Sequence, residues 1–187
     1  GDVYKRQFLY GFNRPNLSLA VQQKTNNWKA QLLEFLANRK NESGIVYCLS
    51  QKLTEQCAEF LQSEEFNAHP FHAGLDSQVK IDTQDKFMTE ENVVVCATIA
   101  FGMGIDKSDV RYVAHISLPS SMEAFYQEIG RAGRDGLEAD TLLIFGLQDL
   151  FQRKRFIDMS DAHDSFKIKE HKRLDALIAY CDSATCR

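Results

Sequence analysis

Three polar residues in the second half of the chain carry the sharpest chemical signal. Gln127, Arg131 and Arg134 fall at i, i+4 and i+7, which puts them on one face of a helix if the segment is helical. Two guanidinium groups about one turn apart suit a polyanion such as a triphosphate. Gly130, Gly133 and Gly136 recur at every third place in the same stretch. Each costs a helix ~1 kcal/mol relative to Ala, so the segment needs a close backbone approach or a helix that ends early. The plain alternative is a solvated basic face.

A second stretch, Thr98 to Asp106, follows a run of buried-strand composition and contains Gly102 and Gly104. Paired glycines let a loop fold tightly and leave amide N–H groups for phosphate oxygens. A dinucleotide fingerprint G-x-G-x-x-G would begin the same way, but Lys107 stands at the third glycine position, which disfavours a nicotinamide-binding domain. Two shorter segments, Tyr47 to Ser50 and Phe71 to Leu75, lie at expected strand ends. Their plain readings are a helix cap and a turn. His69 and His72 have metal-ligand spacing but no third ligand in sight. Cys48 and Cys96 sit inside apolar runs and read as core.

These segments need a scaffold. A helix is expected from Asn27 through Leu36, a strand over Ile45–Leu49, and a helix over Leu53–Gln62 capped by Ser50. A strand over Ala68–His72 precedes a helix capped by Asp76 or Ser77. Asn92–Ala97 and Val110–Ile116 read as strands, Ser121–Ile129 as a helix, and Thr141–Phe145 as a last strand. Leu150–Met159 and Phe166–Tyr180 then have helical spacing. Strands alternating with helices predict an α/β fold with a mainly parallel sheet of five or slightly more strands, with helices on both faces. Runs such as Val93 to Ala97 lack alternation, as strands covered on both faces do. Ligands in such sheets gather at the carboxyl ends of the strands, where the unusual residues fall.

The 187 residues are 44% hydrophobic and 26% charged, enough to bury a core. The net charge of −4 excludes a uniformly basic nucleic-acid coat, though not a local basic patch. The five cysteines, with no C-x-x-C, point to a reducing compartment. No signal-type leader opens the chain, so a cytoplasmic protein is expected, or a nuclear one if the source is eukaryotic. There is no G-x-x-x-x-G-K-[ST] and no Asp-Glu dipeptide. A chain that handles ATP without these supplies only part of the site. Residues 1–7 resemble the translation of a sequencing-library transposon end and are expected to be a non-native scar. The first and last residues are both expected to be cut edges of a longer product.

In order and spacing, these segments resemble the second motor lobe of superfamily 2 helicases, specifically the RecQ family. Tyr47–Ser50 looks like motif IV, Ala97–Lys107 like motif V in its RecQ form, and Tyr126–Gly136 like motif VI. Phe71–Leu75 and Phe12–Asn16 are also similar to RecQ segments. The resemblance covers residues 8–187. It implies a RecA-like helicase C-terminal domain over 8–150 and a helical extension over 151–187 that begins a zinc-binding domain.

By that resemblance, Arg134 is the arginine finger toward a γ-phosphate held by a first lobe, with Arg131 beside it and Gln127 coupling motif VI to the nucleotide. Asp106 approaches the ribose or the finger network, and Gly102 and Gly104 let motif V link both sites. Ser50, His72, Ala73, Gly74 and Thr98 face the DNA backbone. Cys186 matches the first of four zinc ligands, so no bound zinc is expected in this chain. The implied parent uses ATP and Mg2+, unwinds DNA with 3′-to-5′ polarity in repair and recombination, and needs a first RecA-like lobe as partner. The chain alone is expected to be inactive. The rival readings are an RNA helicase lobe and a stand-alone nucleic-acid-binding module.

Overall fold

The computed structural model describes residues 14–102 and 105–185. Six strands and six helices follow one another along them, alternating except where β5 follows β4 and α6 follows α5: β1 (Leu17–Gln23), α1 (Trp28–Leu36), β2 (Gly44–Tyr47), α2 (Gln51–Ser63), β3 (Asn67–Phe71), α3 (Ser77–Thr89), β4 (Val93–Ala97), β5 (Tyr112–His115), α4 (Met122–Ile129), β6 (Ala139–Phe145), α5 (Leu147–Met159) and α6 (Asp164–Thr185). The strands form one sheet in the order β1-β6-β5-β2-β4-β3, and every pairing is parallel. This is the α/β, RecA-like sheet with a C-terminal helical extension that the sequence predicts.

The period-2 geometry of the strands divides the core into two layers. Val93, Val95 and Ala97 of β4 face a cluster that includes Phe87 of α3, Phe125 and Ile129 of α4, and Leu174 and Leu177 of α6. Val94 and Cys96 face the other layer, with Leu32 and Leu36 of α1 and Cys57 and Leu61 of α2. All five β4 residues are buried, which is why the sequence shows a continuous apolar run there.

Helix starts follow side-chain chemistry. Ser50 Oγ accepts from the Leu53 amide at 3.2 Å, Ser121 Oγ from Ala124 at 3.1 Å, and Asp76, rather than Ser77, from Gln78 at 2.8 Å.

Two features go beyond what the sequence specifies. A sixth strand, β1, precedes those read from the sequence and runs in full register beside β6, Leu17 opposite Ala139 through Gln23 opposite Phe145. Its alternation is broken by Ala20 and ends in two glutamines, so its hydrophobic pattern is weak. The second concerns Gln127, Arg131 and Arg134, where the helix ends early, as the recurring glycines allow. They do not share one helix face, because α4 stops at Ile129 with Gly130 as its cap. The chain then turns through Gly133, at φ +57°, where a β-carbon would stand 2.6 Å from Asn16 Nδ2 and 2.8 Å from the Leu137 carbonyl. The Gly133 amide donates to Val110 O at 2.8 Å and the Asp135 amide to Ser108 O at 3.1 Å. The Arg131 and Ala132 amides still donate back to Glu128 O at 3.3 Å and Ile129 O at 3.0 Å, and beyond them the two long-range bonds to Val110 and Ser108 replace the helical ladder.

Candidate functional site

The three expected nucleotide-facing residues still converge. Gln127, Arg131 and Arg134 line one cleft of about 560 Å³, with Arg14 and Tyr126 on its walls. Gln127 is exposed at the end of α4. The two arginines differ sharply in environment.

Arg131 is half-buried. Its Nη1 donates to the Gly102 carbonyl at 2.6 Å, and its Nε is buried without a hydrogen-bond partner. Gly102 has φ +145°, and a β-carbon there would lie 2.4 Å from Arg131 Nη2. Gly102 is therefore glycine because the guanidinium lies flat against it. Tyr47 adds a second tie, donating its hydroxyl to the Phe101 carbonyl at 3.2 Å. Burial pushes its phenol far above the ordinary range, opposed in part by the nearby Arg131 charge.

Arg134 reaches outward. Its Nη1 bonds Asp106 Oδ1 at 2.9 Å and the Ile105 carbonyl at 3.2 Å. The Arg134 side chain is 35% exposed and that of Asp106 90%. Asp106 thus joins the arginine through a solvent-facing pair that a stronger anion can displace. Gly104 lies outside the described residues.

Beneath this lies a buried polar relay. His115 on β5 shares a 2.6 Å contact between Nε2 and Glu128 Oε2 on α4. The same imidazole stacks on Tyr47 with ring centroids 5.1 Å apart. Glu128, His115 and Tyr47 therefore connect the end of α4 to the loop that holds Arg131.

The expected DNA-facing residues lie on the loops after three neighbouring strands, β2, β4 and β3. The loops are bonded together: the Cys48 amide donates to Ala97 O at 2.8 Å and the Thr98 amide to Phe71 O at 3.2 Å. Ala73 and Gly74 are exposed, and Ser50 and Thr98 are half-buried. Ser50 accepts in its capping bond, which leaves its hydroxyl proton free to donate.

His72 departs from the expectation. Its side chain is 4% exposed, and Nε2 meets Glu55 Oε1 at 3.2 Å. The imidazole braces the loop from inside, and only its neighbours present surface. His69 turns instead to Asn67 at 2.9 Å, so the two histidines share no ligand position. Among the described residues, no group of three or more His, Cys, Asp or Glu can hold a metal ion. Cys186 lies outside them.

The sequence placed Arg14 and Asn16 in a RecQ-like segment but gave them no role; they bond the backbone of residues 130–137. They stand 116–121 positions away in the chain, and no periodicity links segments so far apart. Sequence reading missed the His115–Glu128 pair, whose only sequence trace is a polar residue at the end of each apolar element.

The helicase conserved C-terminal domain family matches residues 28–136. The chain is 37% identical to ATP-dependent DNA helicase RecQ of Bacillus subtilis over 98% of its own length and 31% of that protein. It is 40% identical to RecQ-like DNA helicase BLM of Xenopus laevis over 96% of its length and 14% of that protein. A mimivirus protein whose name assigns it as an ATP-dependent RNA helicase is 37% identical over 94% of this chain and 32% of its own length. The chain thus spans less than a third of each relative. Domain 2 of the Mss116p DEAD-box helicase, solved bound to an RNA duplex, superposes with TM-score 0.61 at 18% identity, over 85% of this chain and 69% of that one. No helix among the described residues is long and apolar enough to cross a membrane.

Proposed function

This chain belongs to the helicase conserved C-terminal domain family and to its RecQ group, and from that premise we propose that it is the second motor lobe of an ATP-dependent DNA helicase. In this reading residues 8–150 correspond to the lobe, and residues 151–187, whose Leu174 and Leu177 pack into the lobe's core, correspond to the start of a further, zinc-binding domain that Cys186 would help to complete. The observation that carries this reading is the state of Arg134. It faces solvent in a cleft beside Gln127, its guanidinium tied to the exposed Asp106 carboxylate and to the Ile105 and Gly130 carbonyls, with Nη2 left toward the solvent side.

A guanidinium so placed has direction without commitment. The chain lacks a phosphate-binding loop, so the triphosphate and its Mg2+ belong to a first lobe. ATP supplies the γ-phosphoryl group whose transfer drives the cycle. This lobe contributes donors: Arg134 stabilises charge on the transferring group, and Arg131, seated on Gly102, aligns the segment that presents it. Loops after β2, β3 and β4 offer Ser50 Oγ, Thr98 and the exposed Ala73–Gly74 backbone to phosphates of a strand. Contacts of that kind carry no base preference. The bonds from the loop after β4 to Arg131 and Arg134 link strand grip to nucleotide state, so closure at one site is felt at the other. The proposal extends to a 3′-to-5′ direction and a role in repair and recombination for the parent, a reading supported by its likeness to RecQ helicases.

The deciding experiment is steady-state ATPase on the full-length protein with Arg134→Ala and Arg134→Lys. Turnover should fall by about 10³-fold or more, with nucleotide binding retained. Wild-type turnover in both variants would overturn the reading, as would ATP hydrolysis by the 187-residue chain alone. Stimulation by single-stranded RNA in preference to DNA would favour the RNA helicase reading, which the mimivirus relative supports.

A further inference from the structure

The geometry points to Arg14 as a positioning residue for the arginine segment, acting through the backbone that carries Arg131 and Arg134. Its Nη2 donates to the carbonyls of Ala132 and Gly133, each at 2.7 Å, and its Nη1 to that of Gly130 at 3.5 Å. Nε donates to Asn16 Oδ1 at 3.3 Å. Asn16 Nδ2 in turn donates to Gly133 O and Leu137 O, both at 2.8 Å. Two residues at the entrance to β1 therefore hold four carbonyls of the stretch 130–137.

The need for such a clasp follows from where α4 ends. A helix leaves its last carbonyls without intrahelical partners. Here the residues that follow include both arginines, and the turn bonds from the Arg131 and Ala132 amides to Glu128 O and Ile129 O are the last of the helical ladder. On one side the Gly133 and Asp135 amides are pinned to Val110 and Ser108. On the other, Arg14 is the donor to Ala132 O, and it reinforces Gly133 O, which Asn16 and the Gly136 amide also hold, and Gly130 O, which Arg134 Nε reaches at 3.5 Å. A guanidinium suits the task because it is a rigid planar fork with five donors. Four of the five are engaged in these bonds. Arg14 also borders the cleft, but its donors are spent on backbone rather than aimed at an anion. A displacement of about 1 Å in a reacting group can cost 100-fold in rate, so a loosened segment would show first in turnover.

This inference rests on reading Arg134 as the finger, and the test separates the two. In the full-length protein, Arg14→Ala should lower kcat by about 10- to 100-fold with KM for ATP nearly unchanged. Arg14→Lys should restore only part of the loss, because an ammonium is a point donor and cannot span three carbonyls. In an Arg134→Ala background, Arg14→Ala should add nothing, since both act through one group. Multiplying losses in that background, or a raised KM at unchanged kcat, would overturn the positioning role. Loss with Arg134→Ala but none with Arg14→Ala would overturn it alone. Intact turnover in Arg134→Ala would sink both readings.

The clasp itself has an activity-free readout. In the 187-residue chain, Arg14→Ala should speed hydrogen exchange at the Gly133 and Asp135 amides and leave the amides of α2 and β4 unchanged. Unchanged exchange at Gly133 and Asp135 would also overturn the inference.

Discussion

Gly102 and Arg131 fill one volume: a β-carbon on residue 102 would stand 2.4 Å from Arg131 Nη2, while Arg131 Nη1 holds the Gly102 carbonyl at 2.6 Å. The loop after β4 and the segment after α4 are therefore fitted to each other at a single contact. Substituting Gly102→Ala must both force an L residue to φ +145° and push the guanidinium off its seat. The backbone strain alone is about 1–3 kcal/mol. Urea denaturation should show a loss in that range, and the full-length protein should lose ATP turnover. A variant of unchanged midpoint and unchanged turnover would remove the contact from the account.

Arg134 should behave in the opposite way. Its partner Asp106 is 90% exposed, and exposed ion pairs contribute about 0–1 kcal/mol. Arg134→Ala and Asp106→Asn should each shift stability by less than about 1 kcal/mol. Arg134→Ala should nonetheless remove turnover in the full-length protein. A large drop in the urea midpoint of either variant would mean that the pair is structural, and the free-donor reading of Arg134 would fail.

The contrast between these two arginines shows what the sequence could and could not reveal. The α/β order was legible because apolar runs and helical spacing report burial directly, as in the five buried residues of β4. The convergence of Gln127, Arg131 and Arg134 was legible from residue types. Their geometry was not, because the early stop at Ile129 depends on bonds to Val110 and Ser108 that only the folded chain brings within reach. β1 hid for a related reason. Its place beside β6 is fixed by pairing along seven residues, while its own hydrophobic pattern is interrupted. His72 misled by lying within a recognised segment. The segment reaches the surface through Ala73 and Gly74, but the imidazole is buried against Glu55.

The His115–Glu128 pair should matter more to stability than to any reaction. Both side chains are at most 10% exposed, and their contact is 2.6 Å. Removing one partner leaves the other buried and unsatisfied, at a cost of about 1–3 kcal/mol. Glu128→Ala should lose at least that much in chemical denaturation, with a cavity contribution added. His115→Phe combined with Glu128→Met should recover most of it, because apolar groups of similar shape can replace a buried polar pair almost neutrally. A double variant as unstable as the sum of the singles would show that the relay cannot be replaced by packing.

Three thiols offer a probe of the other core layer. Cys48, Cys57 and Cys96 are buried and share one hydrophobic cluster. Burial pushes the Cys48 and Cys96 thiols above their ordinary range. The thiolate is the reactive form, so none of the three should be alkylated by iodoacetamide at neutral pH in the folded chain. All three should react once urea exceeds the unfolding midpoint. Peptide mapping by mass spectrometry checks this residue by residue. Rapid native labelling at Cys48 or Cys96 would contradict the packing between the sheet and α2.

Acid should weaken the turn that follows the arginine segment. Arg111 Nη2 lies 2.6 Å from both Asp135 oxygens, and the Leu137 amide donates to Oδ1 at 3.1 Å. The Arg111 hydrogen bond, helped by that amide and by the Arg111 charge, holds the Asp135 carboxyl below its usual value. That value is about 3.9 in an unfolded chain. A carboxyl lowered on folding contributes stability that is present at neutral pH and disappears as pH falls through the lowered folded value. Comparing wild type with Asp135→Asn should show a stability gap at pH 7 that closes below about pH 4. In NMR titration, the Asp135 midpoint should lie under the ordinary one and rise in Arg111→Gln. A gap that stays constant from neutral to acid, or a midpoint indifferent to Arg111, would show that this pair does not lock the turn through charge.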